Sequence, residues 1–208
     1  MTAQPDRLTF SQFLAWEARQ EAKYEFADGE VVAMSGGTGD HTRIADNFRV
    51  RLNARFGAGN PCYTYGSDRK VKIRKPTGDA ARYPDGTVTC ADTDHGKALL
   101  IASPVVILEV ISDSSVSTDT VKKPREYTSL PTLQQYVLID SRERWALSYI
   151  RRDVEWDTDF CKDDVVEIPQ RCPCSAQIFG FLSRGRENAN CSQSSAVGSA
   201  IFTMCPTR

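Results

Sequence analysis

Glu109 lies inside Val105-Val106-Ile107-Leu108-Glu109-Val110-Ile111, a run apolar enough for a strand buried on both faces. A carboxylate there must be neutralised, hydrogen-bonded or held to a cation, because an unpaired buried charge is too costly to keep. Two readings fit it: a metal-binding or catalytic acid, or one partner of a structural ion pair. A second carboxylate, Asp85, follows Pro84 and opens the run Asp85-Gly86-Thr87-Val88-Thr89-Cys90. Ligands are often displayed at such a strand end, although Pro-Asp-Gly is also a common turn. Two carboxylates on neighbouring strands, with oxygen ligands only, suit magnesium or manganese better than zinc. Cys172-Pro173-Cys174 has no second Cys/His pair at finger spacing, so it is not read as a zinc site. Asp119, Lys123 and Tyr127 stand four apart, on one face if helical; such a run is commonly a solvated face.

These residues need elements to hold them. Phe10, Phe13, Leu14 and Trp16 recur at helical spacing between Thr9 and about Lys23, with Thr9 or Ser11 as cap. Asp28-Gly29 between two alternating runs, Tyr24–Ala27 and Glu30–Met34, predicts a hairpin. A second helix runs from Asp40 to about Phe56, with Ile44, Phe48 and Leu52 as its apolar stripe. Strands are expected over Cys62–Tyr65, Lys70–Arg74, Tyr83–Cys90, Val105–Ile111, Gln135–Asp140 and Trp145–Arg151, with an edge over Val165–Ile168. A helix between Asp119 and Ser129 interrupts the series.

The 208 residues are 40% apolar and carry 26 Lys+Arg against 27 Asp+Glu, for a net charge of -1. That length fits one domain, expected over residues 1–182, with 183–208 as a disordered or divergent tail rich in Ser, Asn and Gly. No window is apolar enough for a spanning helix, and the first twenty residues lack a signal-peptide pattern, so a cytoplasmic protein is expected. The seven cysteines are an odd count, and Cys62 and Cys90 in strand-like runs are read as buried free thiols. A disulfide framework is therefore not expected. Residues 40–82 hold ten Arg/Lys against four Asp, so any polyanion site is sought there.

The order Asp85, Glu109, then a lysine resembles the PD-(D/E)XK nuclease superfamily, and more narrowly the Uma family of restriction-endonuclease-like proteins. The resemblance rests on Phe13-Leu14-Ala15-Trp16-Glu17, Tyr24-Glu25 with Asp28-Gly29-Glu30-Val31, His41 with Ile44 and Asn47, and Tyr83-Pro84-Asp85. It continues through Leu108-Glu109-Val110-Ile111-Ser112, Asp119 with Lys123 and Tyr127, and Leu130-Pro131-Thr132-Leu133 running on to Asp140, covering about residues 9–152.

The resemblance implies an α+β fold, a restriction-endonuclease-like mixed sheet flanked by helices. It implies Asp85 and Glu109 as ligands of Mg2+ or Mn2+ and a lysine beside the attacking water. Ile111 stands two residues after Glu109, so the matching lysine is Lys123, displaced to the following helix. Pro124 disfavours helical geometry at Lys123, which leaves Lys122 as the alternative. Glu30 is carried as a further metal contact, His41 as a phosphate or water contact, and Asp119 as a supporting residue. Arg43, Lys70, Lys72 and Arg74 are expected to meet DNA phosphates. The implied activity is metal-dependent hydrolysis of DNA phosphodiesters, with a homodimer expected. The alternative is a catalytically silent nucleic-acid-binding or interaction module on the same fold. No Gly-rich phosphate loop or Gly-x-Ser-x-Gly elbow points to small-molecule chemistry.

Overall fold

The computed structural model describes residues 7–56, 59–112, 118–140, 142–143, 145–162, 165–169 and 199–203. Helix α1, Phe10–Glu17, starts at a capping box: the Thr9 hydroxyl accepts from the Gln12 N–H, and the Gln12 side chain accepts from the Thr9 N–H. It ends sooner than its periodicity predicts. The Glu17 carboxylate turns inward, accepting from the Tyr24 N–H at 3.2 Å and the Tyr83 hydroxyl at 2.6 Å, which reverses the chain into β1. Strands β1 (Tyr24–Ala27) and β2 (Glu30–Ala33) form the expected hairpin, with Asp28 and Gly29 at φ 55° and 85°.

Helix α2 spans Gly39–Phe56, with Phe48 and Leu52 buried and Ile44 packed beside them. The strands that follow are β3 (Tyr63–Gly66), β4 (Lys70–Ile73), β5 (Ala80–Arg82) and β6 (Gly86–Thr89). Next come β7 (Leu100–Ile101) and β8 (Pro104–Ile111). A π-helical turn, Thr118–Lys122, runs straight into α3, Lys123–Thr128. Strands β9 (Gln135–Asp140), β10 (Trp145–Arg152) and β11 (Glu155–Lys162) follow, then β12 (Val165–Pro169) and β13 (Ser199–Thr203).

The α+β class holds, with the core divided between two mixed sheets. One has the order β2-β1-β5-β4-β7, the other β11-β10-β9-β8-β6-β3, and β12 pairs with β13. Tyr83 to Asp85, expected to open one strand, instead link two strands in different sheets: β5 pairs with β1 and β4, β6 with β3 and β8. Pro84 has no N–H to donate to a ladder, so the break falls there.

Strand β8 is buried throughout, and its period of two separates its neighbours. Val106, Leu108 and Val110 join the cluster beneath α2, whereas Ile107 and Ile111 join Tyr127, Leu133 and Tyr136 on the other face. Glu109 shares the second face by parity. A third cluster seats α1 on the hairpin through Phe13, Trp16, Phe26 and Val31. The parallel pairing of β8 with β9 requires a crossover, and the π turn with α3 supplies it.

One expectation needs correction. Cys62 and Cys90 form a disulfide, because the register Tyr63↔Thr89 sets them opposite each other just beyond the ends of β3 and β6. At Gly86 a Cβ would lie 2.7 Å from the Phe48 ring, so the missing side chain admits α2 onto the sheet. Within the expected tail, Ser199–Thr203 pair antiparallel with β12; residues 183–198 and 204–208, like Cys172 and Cys174, lie outside the described residues. No helix among the described residues is long and apolar enough to cross a membrane.

Candidate active site

The register Gly86↔Leu108, carried one residue further, sets Asp85 opposite Glu109. Asp85 Oδ2 accepts the Val110 N–H at 2.8 Å and lies 3.1 Å from Nε2 of His41, in the first turn of α2. That contact raises the His41 pKa: the Asp85 hydrogen bond outweighs partial burial. Gly37 makes room for the ring, since a Cβ there would fall 2.6 Å from His41 Nδ1.

Glu109 is buried, and its Oε1 accepts from both Lys123 Nζ and the Tyr127 hydroxyl at 2.8 Å. Burial lifts its pKa well above the usual range; Lys123 opposes the rise, and Asp85, Asp119 and Glu25 add to it. Lys123 also lies 3.0 Å from Asp119 Oδ1 and 3.4 Å from Glu25 Oε1. Burial alone would favour the neutral amine, but these three carboxylates more than reverse that and hold it charged.

Local sequence explains the placement. Asp119 and Lys123 are four apart, one in the π turn and one opening α3, and both reach the face that meets β8. The Tyr136 hydroxyl donates to the Asp119 carbonyl at 3.2 Å, tying that turn to β9. Pro124 falls in the first turn of α3, where a missing N–H is tolerated. The Asp119–Lys123–Tyr127 face is thus buried on Glu109 rather than solvated, because the crossover lays it over the sheet.

A basin of about 980 Å³ opens above this floor, lined by Glu25, Asp85, Glu109 and Lys123 among others. A second, of about 630 Å³, meets it at Met34–Gly37, His41 and Asp85.

The family model described as "Putative restriction endonuclease", Uma2, matches residues 10–177. The chain belongs to the Uma2 family. Two relatives come from Synechocystis sp.: "Uncharacterized protein slr1290" is 35% identical over 138 residues, covering 65% of this chain and 70% of its own. "Uncharacterized protein sll1609" is 29% identical over 136 residues, covering 64% and 75%. The fold is similar to the crystal structure of "a putative nuclease belonging to DUF820 from Anabaena variabilis", at TM-score 0.63 and 19% identity over 78% of this chain and 90% of that one.

In this Uma2 chain Asp85, Glu109, Lys123, Asp119 and His41 come together, and it is Lys123 rather than the exposed Lys122 whose ammonium meets Glu109. Glu30 is exposed on the basin wall. Arg43, Lys70, Lys72 and Arg74 do not line either basin. Lys70 pairs with Glu17 at 2.6 Å, Lys72 with Asp79 at 2.7 Å, and Arg43 lies 3.8 Å from Asp40.

Sequence reasoning gave no role to Glu25 or Arg82. Glu25 accepts the Tyr83 N–H at 3.1 Å and Arg82 Nη1 at 2.9 Å, while Arg82 grips Glu126 through Nε and Nη2 at 2.8 and 3.1 Å. Glu25 carried the same signal as Glu109, an acid within a strand-like run. Arg82 carried none, since its burial depends on the crossing between sheets.

Proposed function

We propose that the chain is a metal-dependent endonuclease hydrolysing DNA phosphodiesters, with Asp85 and Glu109 as ligands of Mg2+ or Mn2+ and Lys123 beside the attacking water. The observation that carries this is a buried, charged lysine bound to a carboxylate that stands across the strand pair from a second one, all on one basin floor. The donor set fits a hard cation. Among the described residues, the protein contacts of Asp85 fall on Oδ2 and those of Glu109 on Oε1, leaving one oxygen of each without a protein donor. Buried Asp119 Oδ1 likewise meets no donor at a hydrogen-bonding angle. Magnesium is commonly held by one or two carboxylates with waters and substrate phosphate, and the two open carboxylate oxygens meet that need; among the described residues no three ligating side chains cluster.

A bound cation supplies Lewis-acid polarisation of the phosphoryl oxygen and a more acidic water. Lys123 orients that water and offsets negative charge developing on the phosphorane. Glu25 and Asp119 keep Lys123 charged and aimed, and His41 with the Val110 N–H fixes the rotamer of Asp85.

A silent binding module has one observation in its favour: the Lys123 ammonium already balances Glu109, Asp119 and Glu25 as a resident cation. Incubating supercoiled plasmid with Mg2+, Mn2+ or EDTA separates the two. Nicking that needs metal and disappears in folded Asp85→Asn and Lys123→Gln supports the nuclease. A wild type that binds DNA yet cuts nothing in either metal supports the module.

A further inference from the structure

Most cations lining the basin are committed to carboxylates. Lys123 serves Glu109 and Asp119, Arg82 serves Glu25 and Glu126, and Lys75 serves Asp28 and Glu126. Two others differ. Lys122 ends the π turn and Arg125 follows in α3; both are exposed, both line the same basin, and neither has a carboxylate within ion-pair distance among the described residues.

They stand three residues apart along continuous helical backbone, so their side chains are neighbours on one outer face. Lys123, Glu126 and Tyr127 in the same stretch are buried, so Lys122 and Arg125 are its solvent-facing cations. Exposed cations beside an acidic floor match a polyanionic backbone whose reacting phosphate enters the floor while its neighbours stay at the rim. Lys70 and Lys72 are less suited, because binding phosphate would compete with short ion pairs they already hold.

We propose that Lys122 and Arg125 form the phosphate-binding rail of this site, gripping the nucleic-acid backbone next to the bond to be cut. The proposal rests on the nuclease reading. Each phosphate contact contributes about 0.9 to the slope of log affinity against log salt for duplex DNA. Lys122→Gln/Arg125→Gln is therefore expected to reduce that slope by about 1.8.

The test is fluorescence anisotropy of a labelled duplex and its single strand, titrated with full-length protein at several NaCl concentrations. Calcium serves as a hard cation there, and thermal unfolding checks that each variant is folded. Arg51→Gln, an exposed α2 cation outside both basins, is the control. A slope reduced in the double variant and unchanged in the control supports the rail. An unchanged slope in the double variant, or an equal reduction in the control or in Arg74→Gln, overturns the rail and leaves the nuclease reading standing. A wild type that binds neither DNA at low salt overturns both.

Discussion

Lys123 is surrounded by Glu109, Asp119 and Glu25 at 2.8 to 3.4 Å, so its removal leaves buried anions facing one another. Breaking a buried pair from one side costs roughly 3–5 kcal/mol. Lys123→Ala should lose about that much stability in urea at neutral pH. Lys123→Ala/Glu109→Ala should lose less than the sum of the single variants, since the two share one interaction. Glu25 supplies a pH-dependent counterpart. Burial raises its pKa, but Lys123, Arg82 and the Tyr83 N–H more than offset that and leave it below the ordinary 4.5. A carboxylate with a lowered folded-state pKa contributes stability above its unfolded value and loses it as pH falls through the folded one. The stability advantage of wild type over Glu25→Gln should therefore be full above about pH 5 and shrink with acidification, measured by urea unfolding across that range.

Among the elements, α2 and β6 depend on each other through a side chain that is absent. A Cβ at Gly86 would sit 2.7 Å from two atoms of the Phe48 ring and 3.3 Å from Leu108 Cβ. Gly86→Ala should destabilise by about 1–3 kcal/mol through overpacking, and Phe48→Leu in the same chain should recover part of it. Thermal unfolding of the two variants against wild type checks this. α2 also carries His41 to Asp85, so its docking sets the geometry of one proposed ligand as well as the core. The hairpin and α2 were legible because turn chemistry and an apolar stripe are local. The shortened α1 was not, because its end depends on Glu17 meeting Tyr83, 66 residues away.

At the scale of the whole molecule, the Cys62–Cys90 bond encloses the excursion from the six-stranded sheet into the five-stranded one and back. Between those cysteines lie β3, then β4 and β5 in the other sheet, then β6. The separation of 28 residues predicts stabilisation of roughly 3–4 kcal/mol by the loop-entropy relation. Unfolding with and without dithiothreitol should differ by about that amount, and non-reduced peptide mapping should recover the linked pair.

The two carboxylates and most strand positions could be read from residue type and period, because a charge in an apolar run and a two-residue alternation are visible without coordinates; the displaced lysine was implied only by the family resemblance. The contact of Lys123, and not Lys122, with Glu109, the inward face of Asp119 and Tyr127, the pairing of His41 with Asp85, and the contacts of Glu25 and Arg82 all awaited the tertiary structure. Each depends on which segments the crossover and the link between sheets bring together, and one sequence carries no record of contacts between residues far apart along it. The two cysteines show the same division: the burial of Cys62 and the partial burial of Cys90 agree with their strand-like surroundings, but their bond followed only from the register of β3 against β6.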